Sequence, residues 1–274
     1  MTSGRAAPRT PVAEQLDLFD APLPLVPGEP EPLQELNVAD FDDEALIRAL
    51  PVATGAVYRP LIEESGRRRL HDAVPALDAL CRHFKGFGTN HPVMEQTASL
   101  RSLAAIGGWD AAWTVAKLIA DGVIEPPGLP AAIAAAARLG CRVPAAVTML
   151  LLGHQDPAVR TDAAVCANAS DRTVAAALTD LLTDPHPAVV QAAAQALGRH
   201  GRTEARPVLI DLLQTAPSVE TIASAAVVAD ETVIILIGRI ARTRPDLADA
   251  ALEALGDIDD KRAADLLARL RPPG

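Results

Sequence analysis

Residues 178–198, LTDLLTDPHPAVVQAAAQALG, hold two amphipathic stretches joined by a short polar turn. Apolar side chains three and four residues apart put Leu178, Leu181 and Leu182 on one helical face, and Val189, Ala192, Ala193 and Ala196 on another. Pro185 and Pro187 interrupt the pattern between them, and Gly198 follows the second stretch as a helix stop. The unit recurs: Pro157, Pro187 and Pro217 stand 30 residues apart, each followed two positions later by valine (Val159, Val189, Val219) and six positions later by alanine (Ala163, Ala193, Ala223). Leu152, Leu182 and Leu212 precede the turns at a common offset. A fixed period of this size predicts helical pairs that bury their apolar faces against the next copy.

The pattern extends outward with less regularity. Pro92 is predicted to open a helix that ends at Gly107 and Gly108, the next helix runs from Trp109 to Asp121, and Pro245, Asp246 and Leu247 lead into the last unit with Ala251 in register. Val233, Ile234, Ile235, Leu236, Ile237 and Ile240 predict the most apolar helix, a buried inner layer. Ahead of the repeats, DFDDEALIRAL puts acids in a first helical turn before Leu46, Ile47 and Leu50. Two further helices are expected over residues 60–69 and 70–84. Residues 1–38 contain Pro22, Pro24, Pro27, Pro30 and Pro32, a spacing that excludes regular helix. The expected organisation is a disordered tail over residues 1–38, a helical cap over 39–91 and a repeat solenoid over 92–274.

The turn Asp156-Pro157-Ala158-Val159-Arg160, set between a leucine helix and an alanine helix, resembles the units of bacterial HEAT-repeat proteins. The resemblance implies an all-α, right-handed solenoid that works as a protein-binding scaffold. It also implies a ladder in which a turn aspartate meets a helix arginine of the adjacent unit. Asp156 and Arg160 fit that pattern, and Asp184 fits it loosely, three residues before its proline; Val190, Glu220 and Ala248 take the arginine position later, so the ladder is incomplete. These residues are expected to hold structure and not to carry chemistry. Asp156 is further expected to cap its helix, with Pro157 at the first helical position.

Composition narrows the functional classes. Apolar residues make up 49% of the chain and aromatic residues only 3%, so the core must be built from alanine, leucine, valine and isoleucine. The net charge of −10 is spread as −7 over residues 1–50, +2 over 51–150 and −5 over 151–274, which disfavours a protein whose main work is coating nucleic acid. Cys81, Cys141 and Cys166 have no motif spacing and read as free thiols of a reducing cytosol. The opening MTSGRAAPRTPVAEQ has no apolar leader core, and the apolar run 227–237 is broken by Asp230 and Glu231, so neither export nor membrane insertion is expected.

One short peptide points to a partner. Gln15, Leu16, Asp17, Leu18 and Phe19 resemble the peptide by which bacterial polymerases and repair proteins hold the sliding clamp of replication. The resemblance implies that Gln15 bonds at the groove's rim while Leu18 and Phe19 fill an apolar pocket beside Leu16. A short linear anchor must draw most of its binding energy from a few such side chains, because ordering the peptide costs entropy.

No catalytic motif, phosphate loop or metal framework is present, so neither a catalytic residue nor a cofactor is expected; Cys81, His83 and His91 lack a second ligand pair. Trp109 and Trp113, four residues apart, share a helix face and are expected to pack between repeats. With Asp110 they also supply the residue types of HEAT-like DNA glycosylases, which use aromatics and an acid in a basic groove. Arg67, Arg68 and Arg69 are the densest basic cluster, expected as a solvated helix end and weighed as a contact to DNA. The expected function is a cytosolic, non-enzymatic adaptor for protein partners, with a repair glycosylase or the scaffold of an unrelated complex as the alternatives.

Overall fold

A computed structural model of the chain describes residues 38–52, 57–84 and 90–270. Gln15, Leu16, Asp17, Leu18 and Phe19 lie outside the described residues. Among the described residues the structure is all helix, with fifteen α-helices and no strand. In order these are α1 (Asp43–Ala49), α2 (Tyr58–Arg67), α3 (Val74–His83), α4 (Met94–Ile106), α5 (Gly108–Ala120), α6 (Leu129–Leu139), α7 (Ala145–Leu152), α8 (Pro157–Cys166), α9 (Arg172–Asp180), α10 (Pro187–Arg199), α11 (Arg206–Thr215), α12 (Val219–Val227), α13 (Glu231–Thr243), α14 (Ala248–Asp257) and α15 (Lys261–Leu270).

From α2 onward the helices form two layers. In one, α2, α4, α6, α8, α10, α12 and α14 pack in unbroken succession. In the other, the close approaches are α3 to α5, α7 to α9, and α11 through α13 to α15. Neighbours in sequence join the layers: α4 packs on α3 and α5, α10 on α9 and α11, and α14 on α13 and α15. This is a solenoid of stacked helical pairs. The expected cap helices α2 and α3 continue the same stacking directly onto α4.

Small side chains make the first layer tight. Helix α10 buries Val189, Ala192, Ala193, Ala194, Ala196, Leu197 and Gly198, so it is covered nearly all round. Close packing of this kind needs alanine and glycine where backbones approach, and leucine where gaps remain.

Local chemistry explains the helix starts. Asp42 accepts a hydrogen bond from the Ala45 amide at 2.7 Å, and Asp156 accepts one from the Ala158 amide at 2.9 Å, with Pro157 next to it at the first helical position. Helix α10 likewise starts at its proline, Pro187, behind an extended His186, whereas three other helices start beyond the prolines that precede them. Helix α12 begins at Val219, two residues after Pro217, because Ser218 takes over the cap and accepts from the Thr221 amide. Helix α14 begins at Ala248, three residues after Pro245. Helix α4 starts at Met94 and not at Pro92, with Val93 extended before it.

Helix α13 is the buried apolar helix expected from the sequence, with one outward apolar position. Val233, Ile234, Leu236, Ile237 and Ile240 are buried, but Ile235 is 59% exposed. With neighbours α11, α14 and α15 on its other sides, a helix of this layer keeps one face open.

Candidate interaction surfaces

Helix α5 carries the largest exposed apolar groups. Its buried stripe consists of Ala111, Val115, Leu118 and Ile119. At 100° per residue, Trp109, Trp113 and Lys117 fall on the opposite side of the wheel. The expected packing of the two indoles between repeats is therefore corrected: Trp109 is 74% and Trp113 51% exposed. The rings stack with centroids 6.3 Å apart and an interplanar angle of 22°, and the Lys117 ammonium lies 4.7 Å from the Trp113 ring centroid. The three side chains thus form a column of two indoles and a cation along the outside of the helix.

Grooves flank that column on both sides. One, of about 410 Å³, runs between α5 and the start of α3, and is bordered by His71, Asp72, Val74, Pro75, Asp110 and Trp113 among others. The second, of about 560 Å³, lies between Trp113, Lys117 and the segment Arg142, Val143 and Pro144 ahead of α7. The first is acidic and the second basic. Asp110 and Trp113 do meet at one site, but beside Asp72 and Asp78, an arrangement that repels a phosphate backbone.

The arginine cluster is turned to internal use. The Glu64 carboxylate accepts hydrogen bonds from Arg67 at 2.6 and 2.7 Å and from Arg68 at 2.6 Å. These bonds, first that of Arg67 and then that of Arg68, lower the Glu64 carboxyl to about 2. Arg68 also donates to the Phe41 carbonyl at 2.7 Å and to Asp43 at 3.0 Å, which fastens α1 to α2. Arg69 is exposed, in a left-handed turn with φ of 55°.

On the tight layer, a groove of about 580 Å³ crosses α4, α6 and α8. Its lining includes Arg101, Arg138, Asp156 and Asp162 among alanines and prolines. Burial, and then the nearby Asp156 charge, pushes the Asp162 carboxyl up.

Arg160 and Asp184 form the structural contact of the repeats. Arg160 Nε and Nη2 donate to the two Asp184 carboxylate oxygens at 2.9 and 3.0 Å, and Nη1 donates to the His154 and Gln155 carbonyls at 2.8 and 3.1 Å. Asp184 Oδ1 accepts from the His186 amide at 2.9 Å. The pair is little exposed, at 11% and 6% of the side chains. It ties the turn before α8 to the turn before α10, while Asp156 serves α8 as its cap. Elsewhere chemistry is suppressed: burial pushes the Cys81 and Cys166 thiols up to about 12, which leaves them as core groups and not nucleophiles.

Residues 144–229 match the family model for HEAT repeats. The HEAT match spans helices α7 to α12, and so includes the Arg160–Asp184 contact and all three prolines of the 30-residue period. No curated protein matches the chain. HEAT repeats serve as protein-interaction scaffolds, and no helix among the described residues is long and apolar enough to cross a membrane.

Trp109 and Trp113 were legible as a shared helix face, but their exposure required asking which face the rest of α5 buries. The stripe Ala111, Val115, Leu118 and Ile119 carried that answer, as did Lys117 in register with the indoles. Asp72 and Val74 had no signal of their own, because their proximity to α5 arises from stacking.

Proposed function

We propose that the protein is a non-enzymatic cytosolic adaptor that binds another protein through the outer face of α5 and docks on the sliding clamp of replication through Gln15, Leu16, Asp17, Leu18 and Phe19. The observation that carries the first half is the stacked, exposed indole pair, formed by the only two tryptophans of the chain. Indole surface left in water is unfavourable by about 25 cal/mol per Å² relative to burial, and aromatic anchors of this kind dominate binding energy at protein interfaces. The HEAT match supports a scaffold role. The second half rests on the peptide's resemblance to clamp-binding segments.

Two measurements test the halves separately. A labelled peptide covering residues 13–21 is titrated with the clamp; saturable binding that disappears with Leu18→Ala plus Phe19→Ala is expected, and binding that survives the double change overturns the docking assignment. Affinity capture with the full chain is then compared with the Trp109→Ala, Trp113→Ala variant. Partners specific to the solenoid should be lost from the variant while the clamp is retained. Retention of every partner overturns the α5 assignment.

A further inference from the structure

The groove between α3 and α5 specifies the charge of whatever meets the indole face, an inference that rests on the proposed use of α5 as a binding surface. Its lining divides by chemistry. Val74, Pro75 and Trp113 supply apolar wall, while Asp72 and Asp110 supply exposed carboxylates. Asp78, the third acid of this groove, is already matched, since both of its oxygens accept from Arg82 Nε at 3.1 Å. Among the described residues Asp72 and Asp110 have no cationic partner and no side-chain hydrogen bond. A channel with apolar walls and unmatched carboxylates complements a side chain that is apolar along its stem and cationic at its tip. The column beside it shows the same pairing within the chain, with the Lys117 ammonium held against Trp113.

We infer that this groove receives an arginine or lysine side chain from a basic segment of the partner protein. Its methylene stem lies along Val74, Pro75 and Trp113, its head meets Asp72 and Asp110, and neighbouring apolar residues of the partner cover Trp109. An acidic peptide or a nucleic acid is repelled from the same place by its like charge.

The two tryptophans make the test direct, because tryptophan emission of the full chain reports on this face alone. The probe is a short capped peptide of alternating arginine and glycine, compared with a glutamine-for-arginine counterpart of equal length. The arginine peptide should change the emission saturably and less strongly as salt is raised. Binding of the glutamine peptide should be weaker by about fivefold or more, the size expected for two exposed charge contacts. The Asp72→Asn, Asp110→Asn variant should show a similar loss for the arginine peptide while keeping its helical circular dichroism. Equal binding of the two peptides overturns the inference without need of any variant, as does full affinity in the folded variant. Capture of a partner that depends on Trp109 and Trp113 but not on Asp72 and Asp110 also overturns it, and leaves the α5 surface standing. Capture indifferent to the tryptophans removes the surface and this inference together.

Discussion

At the scale of single residues, the most consequential contact is the Arg160–Asp184 pair. Arg160 donates two hydrogen bonds to the Asp184 carboxylate and also satisfies the His154 and Gln155 carbonyls, so removing it strands a carboxylate that is only 6% exposed together with two turn carbonyls. Arg160→Ala is expected to cost about 3 kcal/mol, in the range for breaking a buried pair by deleting one partner. Urea unfolding of the full chain measures this, and a midpoint equal to the parent's would refute it. Hydrogen bonds from Arg160, with help from the His186 amide, hold the Asp184 carboxyl below the usual carboxylate range. A depressed folded-state pKa contributes stability above the unfolded value of about 4, and that stability is lost as pH falls through the folded value. Glu64, lowered to about 2, acts in the same direction and in the same acid window. The thermal midpoint should therefore fall between about pH 4 and pH 2, and Asp184→Asn should make that fall shallower. A fall of unchanged steepness in Asp184→Asn assigns the acid sensitivity to other groups. The ladder was legible in the D-P-A-V-R turn because capping and charge are local; that Asp184, and not Asp156, meets Arg160 was settled by the stacking of α8 on α10.

At the scale of helices, the succession α2, α4, α6, α8, α10, α12 and α14 depends on backbone approach. A Cβ on Gly66 of α2 would lie 2.8 Å from the Ser102 Cα of α4, and one on Gly198 of α10 would lie 2.7 Å from the Ser224 carbonyl oxygen of α12. Both obstacles are backbone atoms that cannot move without separating two helices. At Gly238 of α13 the nearest obstacle is the end of the Leu266 side chain, which has other rotamers. Gly66→Ala and Gly198→Ala should thus each cost about 2 kcal/mol despite the better helix propensity of alanine, whereas Gly238→Ala should cost less than about 1 kcal/mol. Thermal unfolding of the three variants checks the ranking; equal effects would show that the helices yield as easily as a leucine tip. Sequence periodicity carried the helices themselves, since apolar spacing and proline turns act within one unit. It misplaced the start of α4, where Pro92 lies upstream of the extended Val93 and the helix begins at Met94.

At the scale of the repeat body, the close packing runs between neighbouring helices. Helix α10 is enclosed by α8, α9, α11 and α12, whereas α15 touches α13 and α14 and buries only Ala263 outright. In such an array, opening a helix costs its own stability plus the interfaces it shares, so the ends open more cheaply than the middle. Amide exchange should be slowest in α10 and fastest in α15. The N-terminal end is held differently. Arg68 bridges from α2 to the Phe41 carbonyl and Asp43, and the side chains of Leu46 and Leu50 are fully buried, so α1 gains an anchor that α15 lacks. Arg68→Ala should accordingly speed exchange in α1 by about fivefold or more, because its charge-assisted bonds to the Phe41 carbonyl and Asp43 are lost, and leave α10 and α15 unchanged. Hydrogen exchange followed by mass spectrometry separates these segments. Acceleration spread evenly from α1 to α15 would mean that the solenoid unfolds as one cooperative block. Acceleration confined to α1 would mean that each end is held by its own contacts, so that a partner seated on α5 could form its interface without ordering either terminus.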